Sequence, residues 1–341
     1  MALQTLPRRV GRSLVRGARA VRSHRWARGL TVASAGVLMM MGAGAAPAPR
    51  KLASHAASEP KAWIDAKSFS VFPLGDGAMP DDAQSLCAAL QEGWKTAIVV
   101  PDPEKAVIIA GGVYPSVASM LIDFSDGRVR PSDRNNKSGK IEINNKVERN
   151  LQVEHLEVRG EPVLLRSTRM NMRLTADTAQ IDLERDRHGK PVMMLAKAKS
   201  GTLSFDVSRA DAESLVLHDA REMASHYGVS IESIKIIIFP ETPRSIQASV
   251  YVETKIAFIP AGMLFQAHIT IDDSMNARIS GLACEGDEAL GPLIVHFLRP
   301  SLARYNGKTH PLMSFPADKM KLRDVAVRVD DSLHLTAAFG S

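Results

Sequence analysis

The sequence predicts an α+β protein in which a long curved antiparallel sheet, apolar on one face, wraps around amphipathic helices. Three observations carry this prediction. Apolar and polar residues alternate in many stretches, the longest placing Ile246, Ala248, Val250, Val252, Ile256 and Phe258 on one side and Gln247, Ser249, Glu253 and Lys255 on the other. Alternation of this kind marks a half-buried strand, whose successive side chains leave opposite faces. Three other segments repeat at three- and four-residue steps, the spacing of a helix stripe. Turn signals such as Asp126-Gly127, His188-Gly189 and Asp330-Asp331-Ser332 punctuate the strands.

The first fifty residues form an address. Eight arginines (Arg8, Arg9, Arg12, Arg16, Arg19, Arg22, Arg25 and Arg28), without a lysine or an acid among them, lead into the uncharged run from Thr31 to Ala46. Basic, then apolar, then small is the order of a secretory signal. The run is shorter than the roughly 20 residues a membrane span needs, so removal is expected over retention as an anchor. The positive start favours export of the body into a periplasm or cell envelope. A mitochondrial presequence is the rival reading, because the arginines recur at three- or four-residue steps. Residues 1–46 are thus a signal peptide or anchor, 47–62 a linker and 63–341 one domain. Removing the eight arginines from the 43 basic residues leaves 35 against 37 acids, so the formal charge of +6 belongs to the leader. A near-neutral body gives no electrostatic footprint for nucleic acid. At 45% hydrophobic and 23% charged, the chain is neither disordered nor a disulfide-rich miniprotein. Cys87 and Cys284 are either free thiols or one long-range disulfide.

Within the domain, residues 81–96 carry Leu86, Leu90 and Trp94 at four-residue steps behind Pro80 and Asp81-Asp82, which predicts a short helix. Apolar runs at 97–100, 106–110 and 117–124 predict strands, with Gly111-Gly112 ending the second. Residues 131–139 are a polar loop. Shorter alternations then follow around Ile141, Leu151, Val163, Met170 and Ile181, and again at Val192 and Leu203. A clear helix spans 208–227, with Ser208 as its cap, Asp211 in its first turn and Gly228 as its stop. Strands at 231–239, 246–258, 265–271 and 275–279 make an antiparallel meander with one apolar face. Pro240 ends the first of these strands, and Pro260-Ala261-Gly262 forms a turn. A second long helix at 290–304 contains Pro300, and two strands around Asp330-Asp331 close the chain.

No dinucleotide, phosphate-loop, zinc-protease, nucleophile-elbow or paired-cysteine motif occurs. His218, Glu222 and His226 share a helix face at metal-ligand spacing, but that face is the polar one, where such residues are ordinarily solvated. Asp272-Asp273 and Asp330-Asp331 fall in hairpin turns, where aspartate bonds the backbone. His268 and His310 have no nucleophile partner in view. No catalytic residue, cofactor or metal is therefore expected. The fifteen methionines are either ordinary core filling or the soft wall of a cavity for flexible acyl chains.

The closing pattern is the most specific motif: His310-Pro311-Leu312-Met313-Ser314-Phe315-Pro316, Lys321-Leu322, then Val325-Ala326-Val327-Arg328-Val329-Asp330-Asp331-Ser332-Leu333. With Gly201-Thr202-Leu203-Ser204-Phe205-Asp206-Val207-Ser208 entering the long helix, it resembles the LmeA-like family of exported phospholipid-binding proteins, relatives of the tubular lipid-binding (TULIP) carriers. Ser332 stands where that family usually has glycine. The resemblance covers about residues 100–341 and implies a TULIP-like fold. It also implies a non-enzymatic lipid carrier of the envelope, with acyl chains as ligand and a membrane surface as contact. The apolar faces nominate Leu215, Val216, Met223 and Tyr227 of the helix and Val250, Val252, Ile256 and Phe258 of the long strand as lining, residues that would serve equally as plain core. The alternative function is a structural or assembly factor acting through protein contacts.

Overall fold

The computed structural model describes residues 64–66, 71–95, 97–130, 141–143, 146–225, 229–256, 259–287, 290–312 and 320–341. The address, the linker and the 131–139 loop lie outside the described residues. Among the described residues the first elements are β1 (Ile64–Ala66), β2 (Val71–Pro73), α1 (Ala83–Trp94), β3 (Ile98–Val99), β4 (Val107–Val113), β5 (Ser116–Asp123), β6 (Arg128–Val129) and β7 (Ile141–Ile143). Four strands follow, β8 (Arg149–Leu165), β9 (Thr168–Arg185), β10 (Pro191–Lys197) and β11 (Ser200–Ser208), and lead straight into α2 (Arg209–Ser225). Next come β12 (Val229–Thr242), β13 (Ser245–Ile256), β14 (Ile259–Ile271), β15 (Asn276–Asp287), α3 (Gly291–Tyr305), β16 (Thr309–Pro311), β17 (Lys321–Val329) and β18 (Ser332–Gly340).

Strand dominates among the described residues, in a large curved sheet, a smaller five-stranded one and a two-stranded pair of β1 with β7. The larger follows the order β17-β18-β11-β9-β8-β5-β4, with β10 pairing both β2 and the end of β9. It is mixed and not wholly antiparallel as expected, because β5 and β6 run parallel to β8. The smaller sheet is the expected meander, β12-β13-β14-β15-β16.

Four local expectations are corrected. The alternations from 149 to 185 are two unbroken strands, since a register shift between Gly160 and Val163 absorbs Glu161-Pro162 and lets β8 continue. Pro240 does not end β12; it lies on an edge strand, where a missing N–H costs no ladder bond. Pro260, Ala261 and Gly262 belong to β14, paired with Lys255, Thr254 and Glu253. Gly111 and Gly112 likewise stay within β4, at φ +69° and +78°, a backbone region open to glycine.

The main core lies under the larger sheet. Leu86, Leu90 and Trp94 of α1 pack there with Met120, Ile122 and Phe124, and Trp94 meets Phe124 edge-on at 4.9 Å. As expected, α1 starts at an aspartate: Asp82 accepts the Ser85 N–H at 2.7 Å in a capping box. The same core takes in Ile246, Ala248, Ile269 and Ile279 of the meander. Further along that apolar face a second core forms, where α2 and α3 cover Val250, Val252, Met263 and Phe265.

Candidate functional site

The site grows from the way α2 is held. Ser208 caps the helix, accepting the Asp211 N–H at 3.1 Å, and Asp211 accepts the Arg169 N–H at the start of β9 at 3.2 Å. The helix then serves the open side of β12, the outermost strand of the meander, whose outward backbone groups need partners. Glu213 accepts the Ile236 N–H at 2.8 Å, and Arg221 donates to the carbonyls of Ile231 and Glu232 at 2.7 and 2.6 Å. From the β8–β9 turn, Arg166 bonds Asp219 and reaches Glu222 at 3.4 Å. Because these carboxylates are 45% and 39% exposed, Arg166→Ala should lower stability by only about 1 kcal/mol. Urea melts would read that loss, and a loss several times larger would contradict a solvent-screened tether.

Between the start of α2, the edge of β12 and the β17–β18 turn lies a narrow cleft that opens to solvent, the space within it and at its mouth together coming to about 430 Å³. Its wall is almost wholly apolar: Ala212 and Val216 of α2, Ile236 and Ile238 of β12, and Val329 and Leu333 of the hairpin. Arg209, Asp330 and Ser332 are its polar members. The hairpin is brought alongside β12 by the Val327 N–H, which donates to the Pro243 carbonyl at 2.8 Å, and by the Arg244–Asp324 ion pair at 2.6 Å.

Among the described residues, the apolar recess between helix and sheet lies at this end of the interface. Of the nominated lining residues with described side chains, Val216 borders the cleft and the others do not. Val250 and Val252 are 4% and 1% exposed in the second core, where Ala220, Leu298 and Leu302 fill the space beside them. Two helices, α2 and α3, cover the central strands. Leu215 is also buried, away from the cleft lining. The side chains of Met223 and Ile256, and the whole of Tyr227 and Phe258, lie outside the described residues. Ala212, Ile236, Ile238, Val329 and Leu333 were not nominated. Each is apolar in an expected element, but only the contact between hairpin and meander edge brings them together.

The other described candidates lie in turns, on strands or on an exposed helix face. His218 is exposed, Glu222 meets Arg166 and His226 lies outside the described residues. No metal-binding group of His, Cys, Asp and Glu occurs among the described residues. Asp272 accepts the Asn276 N–H and Asp330 the Ser332 N–H, both at 2.9 Å, so each serves its turn. His268 lies 3.2 Å from Glu241, and His310 sits in β16 opposite Ala277. Cys87 and Cys284 are free and half-buried. Burial, with Glu285 beside it, pushes the Cys284 thiol up to about 12, and burial also raises Cys87, so both stay protonated and unreactive near neutrality. No helix among the described residues is long and apolar enough to cross a membrane.

Fold and cleft together define a sheet-rich α+β protein with an apolar recess at a helix–sheet junction. Comparison with known protein families, curated proteins and solved structures found no match for the chain.

Proposed function

We propose that this protein is a non-enzymatic lipid-binding or lipid-carrying protein, exported to the cell envelope, that holds part of an acyl chain in the cleft between α2, β12 and the β17–β18 turn. The carrying observation is the nearly continuous apolar wall of a recess that opens to solvent. Each methylene transferred from water into such a recess contributes about 0.8 kcal/mol without any reactive group. The recess suits a segment of one chain, which leaves the headgroup outside at a membrane surface. The arginine-rich leader supports export, and the resemblance to the LmeA-like and TULIP proteins supports the ligand class.

Mass spectrometry of an organic extract of the purified protein should show a co-purifying lipid, and a fluorescent phospholipid should be taken up. Ala212→Trp places an indole in the cleft and should reduce uptake about tenfold or more, with the melting temperature nearly unchanged. Unchanged uptake in this variant would remove the cleft as the site; neither co-purifying lipid nor uptake by the native protein would remove the function. One observation favours the alternative, an assembly factor: Ile237 and Phe239, on the opposite face of β12 from the cleft residues, are 45% and 57% exposed. A photoreactive residue at position 239 tests it, since reproducible crosslinks to one envelope protein support the alternative and their absence discards it.

A further inference from the structure

His334 stands on β18 with a carboxylate at each ring nitrogen. Nδ1 meets Asp206, its directly opposed neighbour on β11, and Nε2 lies 3.0 Å from Asp330 in the β17–β18 turn. A neutral imidazole has one N–H and donates to only one of them, leaving a lone pair against the other carboxylate. The imidazolium satisfies both. The turn it secures is part of the cleft, through Asp330, Ser332 and Leu333. The same turn is joined to the first residue of α2, where the Arg209 N–H donates to the Asp331 carbonyl at 3.2 Å and its guanidinium to the Asp330 carbonyl at 3.4 Å.

The charges around the ring come from four directions. β11 presents Asp206, the turn presents Asp330 and Asp331, and α2 presents Arg209. Arg328 of β17 lies across the ladder from His334 and 3.6 Å from Asp330. The two carboxylates in contact outweigh the more distant guanidiniums: Asp330 first, then Asp206, holds the imidazole above its ordinary value.

We propose that His334 is a pH-operated clamp on the cleft: as the imidazolium it ties the β17–β18 turn to β11 and keeps that wall in place, and as the neutral ring it frees the turn and widens the cleft. The gating of a ligand rests on the lipid-binding reading above; the clamp itself does not. A raised folded-state value makes the clamp complete below the ordinary histidine value of about 6.5, and lost as pH rises through the raised value.

Nuclear magnetic resonance of the full chain tests it without any ligand. At low pH both ring nitrogens of His334 should carry protons. As the ring titrates, exchange protection of the Ser332 and Asp330 amides, bonded within the turn at 2.9 and 3.0 Å, should fall about tenfold beyond the intrinsic pH effect. His334→Gln keeps a donor but no titrating charge and should abolish this pH dependence, while amides in β8 and β9 behave as in the native protein. Protection that stays constant through the His334 titration, or a ring with one proton at low pH, overturns the clamp. Uptake of the fluorescent phospholipid should be about tenfold faster above the titration than below it. Equal uptake at both, with a loosened turn, overturns the gating. A loosened turn with no uptake at either pH overturns the lipid reading and leaves the clamp standing.

Discussion

Phe339→Ala should lower the unfolding free energy by about 3–5 kcal/mol, a large share of what a domain of this kind possesses. Phe339 lies on β18, between β17 and β11 in the larger sheet, and is 1% exposed. Its cross-strand neighbour is Gly201 of β11, and the ring covers that glycine so closely that a Cβ there would come within 2.4 Å of ring carbon Cζ. Removing the ring leaves a void that ladders on both sides of β18 prevent from closing. Gly201→Ala presses on the same ring, and its Cβ would also stand 2.7 Å from the Thr175 carbonyl oxygen of β9, so it should cost about 3 kcal/mol, of which the contact with the ring is one part. Combining Gly201→Ala with Phe339→Leu should therefore cost less than the sum of the two single changes. Urea unfolding of the four proteins measures this coupling, and strict additivity would show that the ring does not rest on Gly201.

What could be read in advance follows the range of each interaction. The strand of the Ile246–Val252 alternation, the Asp82 start of α1 and the Ser208 start of α2 are set by neighbours a few residues away, and each stands where the pattern placed it. The continuity of β8 was hidden, since Glu161-Pro162 looks like an interruption until the register shift beside it is seen. The parallel pairing of β5 with β8 left no local mark, because an apolar run reads alike in either direction. For the cleft, the stripe on α2 revealed Val216, but its opposing wall depends on Arg244 finding Asp324, 80 residues on. The His334 clamp was equally out of reach: Asp206 is 128 residues from the ring it holds. Face and period were legible, and the meeting of distant edges was not.

Gly93→Ala should reverse the usual sign of a glycine-to-alanine change within a helix. In an exposed helix that exchange stabilises by about 1 kcal/mol, since alanine loses less backbone freedom on folding. In α1 a Cβ on residue 93 would stand 1.9 Å from the Pro73 carbonyl oxygen and 2.6 Å from its carbon. Both atoms belong to the chain leaving β2, so no rotamer change relieves the clash. Nor is that stretch free to retreat: the Gly75 N–H donates to the Ala89 carbonyl at 2.9 Å, and the Leu74 N–H to the Pro191 carbonyl at 3.0 Å. The helix itself must lift, carrying Leu86, Leu90 and Trp94 partly out of the main core. The expected loss is about 3 kcal/mol. The Trp94 indole resonance should shift as its edge-on contact with Phe124 opens. A stabilised Gly93→Ala protein with an unmoved Trp94 resonance would mean that α1 does not sit on β2, and the floor of the main core would have to be redrawn.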